Sequence, residues 1–184
     1  GTGMEAGEVI KICKALDDDN HLDYFSVISG SSSSPEGWIH VFPPMAVPHA
    51  FVADDAAQLK KVVSKPVLVA GRINQPQTAS EILTSNKADM IGMARALITD
   101  PNFVNKVAAN RSDDIRACIG CNQACVGHRL THHAISCIQN PKTGRERIFG
   151  SVEKARSKKA VFIIGGGPAG LKAAVIGAQR GHDV

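Results

Sequence analysis

Aromatic side chains are scarce, with one Trp, one Tyr and six Phe in 184 residues. No block of Lys and Arg runs together, and no basic stripe is interleaved with aromatics. The chain therefore lacks the pattern of a nucleic-acid binder, and its net charge is only +4. No apolar run approaches the ~18 residues that a membrane helix needs. No charged-then-apolar leader opens the chain. These absences leave a small-molecule chemistry, read as cytoplasmic, with no nucleic-acid and no membrane partner. An initiator Met is also missing from first place: the chain opens on GTGMEAGE and closes on GHDV. Both ends read as cuts within a longer protein.

What is present is an alternation of short apolar runs and helical patterns. Residues 5–16 carry Val9, Ile10, Cys13 and Leu16 at helical spacing. DDDNHLD breaks that helix, and YFSVISG follows as a β-rich run ending at Gly30. SSSSPEGW reads as a loop by composition. Asp54 and Asp55 supply N-cap chemistry to the helix DDAAQLKKVV. KPVLVAGRI reads as a second strand, and NQPQTASEILTSN as a helix with Pro76 in its first turn. ADMIGMARALI holds a third strand, and DPNFVNKVAANR another capped helix. Three apolar strands joined by helices predict an α/β fold with parallel strands. That pattern fits a doubly wound sheet or a portion of a (β/α)8 barrel. A closed barrel needs eight strands and about 250 residues. Residues 111–150 then read as a loop-rich cysteine segment, 151–159 as a polar linker, and 160–184 as the start of a new unit.

Cysteine is concentrated rather than scarce. Cys118, Cys121, Cys125 and Cys137 lie in CIGCNQACVGHRLTHHAISCIQNP, separated by 2, 3 and 11 residues. Disulfides would suit a small secreted scaffold, and enzyme-like α/β patterning surrounds these thiols instead. Four thiolates also suit tetrahedral zinc, although zinc sites usually pair two CxxC knuckles. A compact triplet with one distant thiol suits an iron–sulfur cluster better, and Asn140-Pro141 turns the chain just after the fourth. Cys13, on the apolar face of the first helix, reads as core. His128, His132 and His133 lie between the third and fourth thiols and read as solvated or as neighbours of the ligands.

AVFIIGGGPAGLKAAVIGAQRGH begins with an apolar run, and Gly165, Gly167 and Gly170 then take G-x-G-x-x-G spacing before a helix. Between strand and helix, this spacing points to a dinucleotide. The first glycine permits the turn, the second admits the pyrophosphate, and the third lets helix and strand pack. The helix N-terminus supplies partial positive charge.

Taken in order, LVAGRI, DMIGMARALITDP, CIGCNQAC with Cys137, and IIGGGPAGL resemble the iron–sulfur flavoenzyme branch of the Old Yellow Enzyme superfamily. That branch of NADH:flavin oxidoreductases includes 2,4-dienoyl-CoA reductase and the trimethylamine and histamine dehydrogenases. The resemblance runs from about residue 5 to 184. It implies that 1–110 is the C-terminal portion of an FMN-binding TIM barrel, with strands six, seven and eight at 24–30, 66–72 and 89–94. It implies that Gly71, Arg72, Ala94 and Arg95 cradle the FMN phosphate. Barrel phosphate sites follow strands seven and eight, and Arg grips phosphate as a fork. The four cysteines would hold a 4Fe-4S cluster. Gly165, Gly167, Pro168, Ala169 and Gly170 would form the FAD turn of a truncated Rossmann-like domain, with NAD(P)H as donor. The expected activity is reduction of an activated C=C bond of an enoyl-CoA-like substrate. Alternatives are amine or N-methyl dehydrogenation with an external electron carrier, and a zinc-stapled nucleotide module without redox chemistry. The reductases carry a Trp-His pair after strand six. Here Trp38 and His40 are separated by Ile39, so His40 is either a displaced proton donor or a loop histidine. Glu36 is the only acid in that loop. With three barrel strands, sheet edges stay unpaired. The fragment alone is expected to be inactive and to bind FMN poorly.

Overall fold

A computed structural model describes residues 3–184; residues 1 and 2, which open the first expected segment, lie outside it. The chain divides into two compact units, one ending at Pro141 and the other spanning Lys142–Val184.

The first unit is built on three short parallel strands, β1 (Phe25–Val27), β2 (Val67–Ala70) and β3 (Met90–Gly92), in that order. Phe25 pairs with Val67 and Leu68 with Met90, so consecutive strands are neighbours in space. The central β2 buries Val67 and Val69 completely against Phe25, Val52, Ala56, Leu59 and Ile82. Each such valine contributes about 1.5–3 kcal/mol by leaving water. Between strands run α3 (Ala53–Lys60) and α4 (Pro76–Thr84). As the sequence suggests, Pro76 opens α4, where a missing N–H costs nothing.

The helix α1 (Ala6–Asp18) opens with a reciprocal capping box between Glu5 and Glu8. Its expected apolar face is only partly used, because Val9 and Leu16 stay exposed while Cys13 packs half-buried on the core. A carboxylate fixes its far end. Buried Asp17 accepts from Ser64 N at 2.8 Å, Ser64 Oγ at 3.1 Å and Lys65 N at 3.3 Å. The Ser64 amide above all holds this carboxyl below its ordinary range, against the opposing effect of burial.

Two local expectations are corrected. SSSSPEGW is not all loop: α2 (Pro35–Val41) starts within it. Ser34 has extended backbone and its Oγ accepts from Gly37 N at 3.1 Å, and Pro35 takes the first helical position. Asp54 and Asp55 do not cap α3. Val52 stands at the N-cap without a side-chain bond, and the two carboxylates sit in the first turn, where they complement the helix dipole.

Past β3 come α5 (Arg95–Thr99) and α6 (Phe103–Ala108), then the cysteine segment with a π-helical turn at Gln123–Gly127 and a single turn α7 (His128–Leu130). Buried Asp100 ties this region together, accepting from Lys106 Nζ at 2.5 Å, Arg116 N at 2.9 Å and Asn102 N at 3.1 Å. Burial pushes its pKa up, yet these donors outweigh it and the carboxyl stays below its ordinary range.

The second unit holds α8 (Glu146–Phe149) and α9 (Pro168–Gln179). The apolar run expected as a strand at 160–164 forms one parallel bridge only, Ala160 to Asp183. A strand needs a ladder of partners, and Phe162 and Ile164 remain 92% and 89% exposed.

Candidate cofactor site

The C-terminal ends of β2 and β3 open on a cavity of about 330 Å3, a size that suits small-ligand sites. Gly71 and Arg72 leave β2 into it, and Ala94 and Arg95 leave the turn after β3. The remaining wall is largely apolar, with Val41, Pro43 and Met93 among its residues.

Arg72 sits in the left-handed region at φ +49°, a strained place for a long side chain. Its Nη1 donates to the Val47 carbonyl. Its Nε is buried with no partner among the described residues. A donor left in that state costs about 1–3 kcal/mol, so the site fits an acceptor such as an anion. Nearby His49 was not singled out by the sequence. Burial first, and the Arg72 charge second, hold its imidazole below the ordinary range.

Arg95 is braced differently. Its Nη1 donates to the Pro43 carbonyl at 2.8 Å and to Asn122 Oδ1. His40 lines the same cavity from α2, its ring 5.7 Å from that of Phe51. Trp38 donates from Nε1 to the Ser32 carbonyl at 2.7 Å and stacks edge-on against Phe42. Glu36 lies exposed in the first turn of α2 and does not line this cavity.

A second, smaller cavity of about 20 Å3 adjoins the first. Cys118, Cys121, Cys125 and Cys137 all line it, and none is in a disulfide. Arg95, Ile98, Cys118 and Cys125 belong to the walls of both cavities. Gly120 N donates to Cys118 Sγ at 3.4 Å, from a residue at φ +68° where an added Cβ would meet Met45 N at 3.1 Å. Thr99 Oγ1 lies 3.6 Å from Cys137 Sγ. Burial pushes the Cys125 thiol up, aided by Cys118 and Cys121 and opposed by the Val126 amide and Arg95. Among the described residues, no three of the His, Cys, Asp and Glu side chains close round one metal ion. His128 and His133 point their Nδ1 atoms at the Ala134 carbonyl and Thr131 Oγ1, and neither they nor His132 line this cavity.

In the second unit, Gly165 has φ +110°, which only glycine adopts readily. A Cβ on Gly170 would meet the Gly165 carbonyl oxygen at 2.0 Å. Gly167 is the N-cap of α9, with Pro168 at its first position and Ala169 next, and nothing lies within 4 Å of a Cβ built on Gly167. The turn is tight, closely packed on one side and open on the other.

The profile of the NADH:flavin oxidoreductase / NADH oxidase family matches residues 3–114. Cinnamate reductase of Clostridium sporogenes is 36% identical over 160 residues, which are 87% of this chain and 24% of that protein. A probable N-methylproline demethylase of Rhizobium meliloti is 35% identical over 183 residues, 99% of this chain and 27% of that one. The solved structure of 2-naphthoyl-CoA reductase, in complex with 2-naphthoyl-CoA, superposes with a TM-score of 0.89 at 32% identity. That match covers 99% of this chain and 27% of the reductase. The chain thus spans about a quarter of the proteins it matches. Among the described residues, no helix is long and apolar enough to cross a membrane.

Proposed function

The chain belongs to the NADH:flavin oxidoreductase / NADH oxidase family, and on that footing we propose that its parent uses FMN, a 4Fe-4S cluster and FAD to reduce an activated C=C bond. One observation carries this reading: four thiols line one small cavity, which shares Arg95, Cys118 and Cys125 with a larger cavity holding a buried, unpartnered arginine donor. When bound, the flavins supply hydride transfer and the cluster supplies single-electron transfer between them. The net change is addition of a hydride from NAD(P)H and a proton across the double bond.

The residues fit these groups. Arg72 offers its orphaned Nε, and Arg95 its remaining N–H groups, to the FMN phosphate, with Gly71 and Ala94 keeping the strand ends slim. A single zinc with Zn–S bonds of 2.3 Å needs sulfurs about 3.8 Å apart. A cubane takes one thiolate at each of four iron corners, and the four thiols that line one small cavity suit that set. The Gly120 amide steadies the Cys118 thiolate. Gly165, Gly167, Pro168, Ala169 and Gly170 supply the FAD turn, with the α9 N-terminus facing the pyrophosphate. His40 holds an imidazole N–H on the cavity wall and gives the proton to the reduced substrate.

The likeness to reductases of cinnamate and 2-naphthoyl-CoA supports a conjugated acyl substrate. The likeness to an N-methylproline demethylase keeps a second reading, oxidation of a C–N bond with electrons leaving to an external carrier. A zinc-stapled module without redox chemistry gains no support from the family. The test is iron, acid-labile sulfide and zinc per chain of the full-length protein, with an electron paramagnetic resonance spectrum after reduction. About four irons and four sulfides are expected. One zinc without sulfide would end the electron-transfer reading. Anaerobic addition of an amine separates the other two, since it bleaches the flavin only in a dehydrogenase.

A further inference from the structure

Asn122 follows the second cysteine and precedes the π-helical turn that carries the third. Its backbone is left-handed, at φ +55°, a conformation that Asn tolerates better than most side chains. Its side chain joins two other parts of the fold. Oδ1 accepts from Arg95 Nη1, and Nδ2 donates to the Phe42 carbonyl at 2.6 Å, 80 residues earlier in the chain. The partners fix which end of the amide is which, because a guanidinium only donates and a carbonyl only accepts. Arg95 also donates to the neighbouring Pro43 carbonyl at 2.8 Å. One amide thus closes a ring through Arg95, Pro43 and Phe42: Asn122 lines the smaller cavity, Phe42 and Pro43 the larger, and Arg95 both. An aspartate there would lack the donor, and an aliphatic residue would lack both bonds.

We infer that Asn122 is a positioning residue that holds the Arg95 guanidinium in place for the flavin phosphate and so locks the flavin pocket to the cysteine loop. Arg72 keeps a free buried donor, whereas Arg95 spends two of its bonds on protein atoms, so its aim depends on them. This inference rests on the cofactor reading above.

The test uses the full-length protein and compares FMN with riboflavin, which lacks the phosphate. Asn122→Gly keeps the left-handed turn accessible and removes both side-chain bonds. Expected is about a tenfold weaker affinity for FMN, an unchanged affinity for riboflavin, and an unchanged iron content. In an Arg95→Lys background, Asn122→Gly should cost nothing further, because the arginine it braces is gone. Wild-type FMN affinity in Asn122→Gly would overturn the inference. So would an equal loss for riboflavin, an additive loss in the Arg95→Lys background, or loss of iron, each of which marks a loop-structural role instead. A wild-type protein that does not distinguish FMN from riboflavin would overturn the phosphate reading itself, and this inference with it.

Discussion

The two units reach their candidate sites by opposite routes. In the second unit, the glycine turn is made by neighbours in sequence: Gly165 at φ +110°, Gly170 against the Gly165 carbonyl, and Pro168 at the start of α9. In the first unit, the bonds that join the walls of the paired cavities span the chain. Arg95 leans on Pro43, Asn122 on Phe42, and Asn74 Nδ2 on the Cys118 carbonyl. A site of the first kind is written in the backbone conformation of neighbouring residues. A site of the second kind exists only when the sheet and its helices have already assembled.

The contrast can be broken from either side, in the full-length protein. The largest effect is expected from Cys118→Ser: iron should fall from about four per chain to a small residue, measured by metal analysis. FAD content should hold, since the glycine turn makes itself. Next, Arg72→Ala removes the buried unpartnered donor, and FMN affinity should drop by about ten- to a hundredfold in a fluorescence titration. Gly170→Ala should do the reverse. Its methyl collides with the Gly165 carbonyl, so FAD should be lost at a stability cost of about 1–3 kcal/mol while iron and FMN persist.

A smaller effect is expected from acid. Asp100 and Asp17 are held below the ordinary carboxylate range. They therefore contribute stability that is complete above the unfolded value of about 3.9, and it is lost as pH falls through their lower folded values. Replacing Asp100 by Asn should flatten the decline in denaturant midpoint below about pH 4 and leave the stability around the glycine turn alone. The smallest effect belongs to Asp54→Asn. It breaks the exposed Lys87–Asp54 pair, and unfolding free energy from a denaturant titration should change by less than about 0.5 kcal/mol.

Legibility in the sequence follows the same division. The three strands, the Pro76 helix start and the glycine spacing were readable because each is a local preference. The strand ends carrying Arg72 and Arg95, and the four thiols, were placed by spacing and resemblance, and the fold brings them to adjoining cavities. Four serines concealed α2, because the last of them is a cap and composition alone reads such a run as loop. The run 160–164 has the composition of a strand, but pairing is a property of partners, and one bridge is what Asp183 supplies. Asn122 was invisible for a different reason. Its partners lie 27 and 80 residues away, and no periodicity reports a hydrogen bond across that distance. The left-handed backbone at Arg72 likewise leaves no mark in composition.

The turn at Gln123–Gly127 closes with Gly127 N bonded to the Asn122 carbonyl at 2.8 Å, five residues back rather than four. A π turn is wider than an α turn and holds one more residue per closing bond. The widening carries the third thiol round the coil, so that Cys121 and Cys125, four residues apart, both reach the wall of one cavity.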